Sequence, residues 1–131
     1  MNKADIDKLL PAAYEAIRES GISENGTVDK SYRGQISSFG AAVSMGSLLS
    51  AVAFFSDKGS ADIARDKLTA AILLVLKKDG TVDSSYGRLY DWANMEVKAG
   101  KETVCKERIL NAAIAIKLAM NLYRLQDKTN Y

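Results

Sequence analysis

The side chains best placed to do chemistry in this sequence are basic, and most of them lie towards its C-terminal end. Lys106, Lys117, Asn121, Arg124 and Lys128 fall close to one stripe if the segment from about Glu102 to Gln126 is helical, and Lys77 with Lys78 closes an earlier apolar run. From Lys101 onward there are six Lys/Arg against three Asp/Glu, whereas the preceding hundred residues hold twelve against thirteen. Cations aligned on one face suit a nucleic-acid backbone, whose phosphates they neutralise with release of counterions. The competing reading is a solubilising surface, since lysines in a last helical turn also complement the helix dipole. The net charge of +2 is too small to decide between them.

Covalent and acid/base chemistry has little to work with. The chain has no histidine and one cysteine, Cys105, so a serine or thiol nucleophile lacks its usual activating base and no intramolecular disulfide can form. Cys105 falls on the apolar stripe of the last segment and reads as a small core residue. Acid pairs such as Asp62 with Asp66, or Glu102 with Glu107, are ordinary solvated helix faces. No metal-ligand spacing and no glycine-rich phosphate loop accompany them. The expectation is a protein that is not an enzyme and holds no cofactor or metal. The unpaired cysteine, and an N-terminal stretch without an apolar leader core, point to the cytoplasm.

The elements that would position the basic residues are helices. The length of 131 residues, 47% hydrophobic and 26% charged composition, and the single proline predict one all-α domain over residues 1–131. The expected architecture is a compact bundle of about five helices with a long, central, apolar second helix. Apolar residues at helical spacing mark segments at about Ala4 to Ser20, Asp29 to Ser56, Ser60 to Lys78, Asp83 to Ala99 and Glu102 to Gln126. Pro11 is expected to end or kink the first part of the first segment. Gly21, Gly80 and Gly100 read as stops, and Ser60 as an N-cap with Asp62 in its first turn.

Two patterns within these segments admit more than one reading. Asn25-Gly-Thr-Val-Asp-Lys-Ser-Tyr32 and Asp79-Gly-Thr-Val-Asp-Ser-Ser-Tyr86 match in register, either from an old duplication or because two turns and caps share a grammar. The match fades after the tyrosines, which favours shared grammar. Gly40 to Phe55 runs sixteen residues without a charge, but its serines, glycines and length fit a buried helix better than a membrane span. On it Ser37, Ala41, Ser44, Ser47 and Ala51 follow a helical stripe of small residues, where a neighbouring helix is expected to approach closely.

The stretch from Lys30 to Phe55, KSYRGQISSFGAAVSMGSLLSAVAFF, resembles the signature helix of the small α-helical subunit of the type III-B CRISPR (Cmr) effector complex, its fifth subunit. In that family a tyrosine opens the helix and a Gly-Leu pair precedes an Ala-Phe near its end. Tyr32, Leu48, Ala53 and Phe54 match, while Ser47 stands where the glycine is expected and Gly46 comes one position early. The order of helices agrees over almost the whole chain. The resemblance implies a non-catalytic subunit, repeated beside the backbone subunits, lining the groove that holds CRISPR RNA paired with target RNA. Partners would be the other Cmr subunits and these RNAs, with self-association along the complex and no membrane. From the residues alone the alternative is a helical adaptor that binds only protein, with a membrane-active helical protein third.

Overall fold

The computed structural model describes residues 3–57 and 64–127. It is mostly helical and also contains a small sheet, which an all-α reading did not include. The first helix, α1 (Lys3–Glu19), buries Ile6, Leu9, Ala13, Ala16 and Ile17 along one face. Pro11 lies inside it without ending it, because its position is exposed and the hydrogen bond it forfeits falls on the solvent side. The chain leaves α1 at Gly21, whose φ of 86° suits a residue without Cβ.

Asn25-Gly26 then makes a hairpin turn, both residues at positive φ, between β1 (Ser23–Glu24) and β2 (Thr27–Asp29). β2 also pairs in parallel with β3 (Arg124–Gln126) from the far end of the chain, in the order β1-β2-β3, with Val28 opposite Leu125. Asp29 Oδ1 accepts from the Ser31 amide at 2.8 Å and turns the chain into α2 (Ser31–Met45).

The expected unbroken second helix is instead two helices, α2 and α3 (Leu48–Ser56). Gly46 is extended, and a Cβ there would stand 3.0 Å from the Ala42 carbonyl oxygen. Ser47 then caps α3, its hydroxyl accepting from the Ser50 amide at 3.3 Å. The long run thus bends at the point where a Ser beside a Gly offers the backbone a fresh start.

Two further helices also start later than their apolar spacing predicts. In α4 (Asp66–Lys78) the apolar side chains are buried almost without interruption, from Leu68 to Leu76; Ser60 and Asp62 lie outside the described residues, and Ala64 precedes the helix. α5 (Leu89–Lys98) begins six residues beyond Asp83. There Asp83 Oδ1 accepts from the Ser85 amide at 2.8 Å, closing a local turn that competes with helix. The two echoing segments share this Asp-to-Ser bond, a glycine at positive φ and a buried valine, but only the first goes on as a strand and a helix.

The central helix is α6 (Glu102–Ala119), which packs against α1, α2, α4 and α5. Its buried residues, among them Cys105, Ile109, Ala112, Ala115, Ile116 and Ala119, are mostly small, so neighbours approach from several sides. Beyond Ala119 the chain tightens into a 3-10 turn at Met120–Leu122 and becomes β3, where the sequence period predicts continued helix. Among the described residues the buried apolar side chains of α1 to α6, with Ile22, Val28, Val82 and Met120, form one contiguous core.

Candidate protein-binding face and basic residues

From Gly34 to Ser56 no residue is charged, and this stretch forms all but the first turn of α2 and the whole of α3. Tyr32, Ile36, Phe39, Val43, Leu48, Val52 and Phe55 turn inward. Turned outward are Gly34, Ser37, Ser38, Ala41, Ser44, Met45, Gly46, Ser47, Ser50, Ala53 and Phe54. Of the small-residue stripe, therefore, only Ala51 is buried, and the expected close helix contact along Ser37, Ala41 and Ser44 is instead open surface. Met45 is 87% exposed and Phe54 59% exposed.

Phe54 is held in place from behind. The Arg65 guanidinium lies 4.3 Å from its ring centre, and Phe55 meets it edge-on at 5.2 Å before passing contact inward to Phe39. An exposed aromatic ring fixed by such contacts loses little freedom on meeting a partner. Charge depletion with exposed Met and Phe is the composition of the centre of a protein interface.

Alongside this face, α2 and α6 enclose an open groove of about 640 Å³. One wall is Ile36, Ser37, Gly40, Ala41 and Ser44; the other is Lys106, Leu110, Ile114 and Lys117 with Thr103 and Glu107. The groove meets a second apolar depression at Ala41, which leads past Met45 to Phe54.

The structure separates the basic residues that the sequence aligns. Lys106 and Lys117 share the groove rim on α6. Arg124 is exposed on β3, so it does not continue a helical stripe from Lys117, and Lys128 lies outside the described residues. Lys78 reaches back to α1, where its Nζ is 2.9 Å from Glu19 Oε2 and 3.7 Å from Glu15 Oε1; the Glu19 hydrogen bond holds its pKa above the ordinary lysine value. Lys77, its neighbour, is half-buried.

A second charged cluster was not visible in the sequence because its members come from distant segments. Lys8, Lys101 and Arg108 surround the turn after α4, where Arg108 Nη1 donates to Thr81 Oγ1 at 3.2 Å and Thr81 donates to Asp79 Oδ2 at 2.8 Å. Asp79 and Glu96 balance much of its charge. Cys105 borders it, and burial pushes its thiol up to about 12, which keeps it protonated at neutral pH. Among the described residues no group of three or more His, Cys, Asp or Glu is placed to hold a metal ion, and no helix is long and apolar enough to cross a membrane.

In class the protein is a mostly helical one with a three-stranded sheet closing one end of its chain path and an uncharged outer face on α2 and α3. No family model matches the chain, nor does any curated protein or solved structure.

Proposed function

We propose that this chain is a non-catalytic assembly subunit of a type III-B CRISPR (Cmr) effector complex, seated beside its repeated backbone subunit in the cytoplasm and lining the groove that holds CRISPR RNA and target RNA. One observation carries the reading. The Lys30–Phe55 stretch that resembles the family's signature helix is the stretch that builds the uncharged outer face of α2 and α3, with Met45 and Phe54 exposed. A segment kept free of charge on its solvent side as well as its core side fits a surface covered by protein. Lys106 and Lys117, beside that face, are the residues best placed to meet phosphate from the same side.

Co-expression of the chain with the other Cmr subunits and a guide RNA tests this. The chain should co-purify in the assembled complex, and Met45→Glu with Phe54→Glu should remove it while leaving its own helical circular dichroism intact. A complex of full composition that excludes the wild-type chain would refute the reading. An adaptor that binds only protein is the second reading, favoured by the dispersal of the basic residues over α4, α6 and β3. It predicts assembly that is indifferent to charge reversal at Lys106 and Lys117.

A further inference from the structure

Asn25 and Gly26 are the whole of the turn between β1 and β2, flanked by the paired residues Glu24 and Thr27. Both hold positive φ, 54° and 78°, and Asn25 is the one non-glycine residue to do so among the described residues. Both are exposed. Gly26 has no side chain to shield its amide nitrogen, and among the described residues that amide donates no hydrogen bond. The echoing Asp79-Gly80 is tied down instead: the Gly80 amide donates to the Lys77 carbonyl at 3.0 Å, and the Asp79 carboxylate accepts from Thr81 at 2.8 Å. No other asparagine in the sequence precedes a glycine.

We propose that Asn25 is a site of spontaneous deamidation, and that the isoaspartate it forms unfastens β3 from β2. Asparagine is among the thermolabile side chains. The Gly26 nitrogen, its proton taken by hydroxide, attacks Asn25 Cγ; an N–C bond forms, the side-chain nitrogen leaves as ammonia, and a succinimide ring closes. Water then opens the ring. Cleavage beside one carbonyl gives aspartate, and beside the other isoaspartate, whose main chain runs through Cγ and gains a methylene. An amide and a water go in, a carboxylic acid and ammonia come out, and no oxidant or reductant is needed. Ring closure requires the Gly26 nitrogen to swing towards the side chain, so it draws on moments when the turn is open. A two-residue strand at the edge of a sheet opens at little cost.

The consequence follows from what hangs on the turn. The Gly26 carbonyl accepts from the Arg124 amide at 3.0 Å, where the parallel pairing of Thr27 to Asp29 with Arg124 to Gln126 begins. A two-residue hairpin loop matches its strands only at its own length, so an added backbone atom displaces the Gly26 carbonyl or the Glu24–Thr27 pair. Among the described residues β3 pairs with no strand but β2.

The test holds the full-length chain in warm, mildly alkaline buffer and follows it by peptide mass spectrometry and isoaspartyl methyltransferase labelling, with the same chain in urea as the reactive reference. The peptide containing residue 25 should gain an acid group ahead of every other asparagine and ahead of isoaspartate at Asp79. The acidic fraction, separated by ion exchange, should exchange hydrogen at the Arg124 amide about tenfold or more faster than the fresh chain. Asn25→Gly keeps a dipeptide suited to the turn without the reacting side chain, and should hold Arg124 protected throughout. Asn25→Asp adds the charge without the methylene, and when fresh should match wild type at Arg124. The proposal is overturned if Asn25 survives in the native chain while reacting in urea, or if other asparagines react first. It is overturned equally if the isoaspartyl fraction exchanges Arg124 at the wild-type rate, or if fresh Asn25→Asp alone frees the strand.

Discussion

Tyr123, just past the last helical turn, donates a hydrogen bond from its hydroxyl to the backbone carbonyl of Tyr14 at 2.5 Å, and the two rings stack 4.6 Å apart at 20°. The contact joins residues 109 apart in sequence and directs the chain from α6 into β3. Replacing Tyr123 with Phe keeps the stack and removes the bond; about 0.5 to 1.5 kcal/mol should be lost in denaturant unfolding. Tyr123→Ala removes the ring as well and should cost more.

The same residue gives stability a pH dependence at the alkaline end. Burial raises the phenol of Tyr123 above its ordinary value, and burial does the same for Tyr32. A phenol whose folded pKa is raised contributes stability that is fully present below its unfolded pKa, about 10, and is lost as pH rises through the folded value. Melting temperature should therefore hold near neutrality and fall above about pH 10. Tyr123→Phe should flatten part of that fall, and an unchanged alkaline limb would deny Tyr123 its share.

How much was legible in the sequence follows from how local each determinant is. The apolar period of α1 and α6 and the stop at Gly21 are written in neighbouring residues, and the structure has them. The end of α6 is not, because Met120 and Tyr123 continue its period and what stops the helix is Tyr14 and the edge of β2, more than ninety residues away in the chain. The α2/α3 break is local but faint. Gly46-Ser47 lies in an apolar run whose period passes through it, and only the Ser47 cap and the extended Gly46, where a Cβ would stand close to the Ala42 oxygen, mark the bend. The small-residue stripe misled because spacing shows that Ser37, Ala41 and Ser44 share a face, not whether another helix of this chain covers it. Of the basic stripe, Lys106 and Lys117 stay together since both precede the helix end; Arg124 follows it and is lost to another element.

The cap at Ser47 makes a separable prediction. Ser47→Ala removes the acceptor for the Ser50 amide at the start of α3 and should cost about 0.5 to 2 kcal/mol, as losses of N-caps do. Ser47→Asp should restore most of it. If Ser47→Ala unfolds at the wild-type denaturant midpoint, the bend is set by Gly46 and packing alone.

Placement of the small-residue stripe at the surface reverses the expectation of overpacking. Ala41→Leu and Ser44→Leu should each change unfolding free energy by under about 0.5 kcal/mol, because both positions are exposed. Ala112→Leu, at a site with no exposure on α6, should cost about 1 to 3 kcal/mol. The stripe variants should instead weaken association with the partner complex, since a leucine there fills the groove. A large melting-temperature drop in Ala41→Leu would place a helix of this chain against that face.

Charge reversal distinguishes a phosphate-contacting rim from a solubilising one, now that Lys117 and Arg124 stand on different elements. Lys117 lines the groove beside the uncharged face and Arg124 is exposed on β3, so the two should act independently. Each single glutamate variant should fold with an unchanged melting curve, because exposed substitutions usually shift stability by under about 0.5 kcal/mol. If RNA passes over the α6 rim, Lys106→Glu with Lys117→Glu should weaken target-RNA binding by the assembled complex for all sequences alike, and with a shallower salt dependence. Phosphate contacts release counterions and read no bases, so affinity and slope must fall together. Arg124→Glu should leave both unchanged. Titrations of the reconstituted complexes at several salt concentrations check this: an affinity loss without a change of slope would assign the lysines to a protein contact, and an effect of Arg124→Glu equal to that of the rim pair would move the RNA path to the sheet.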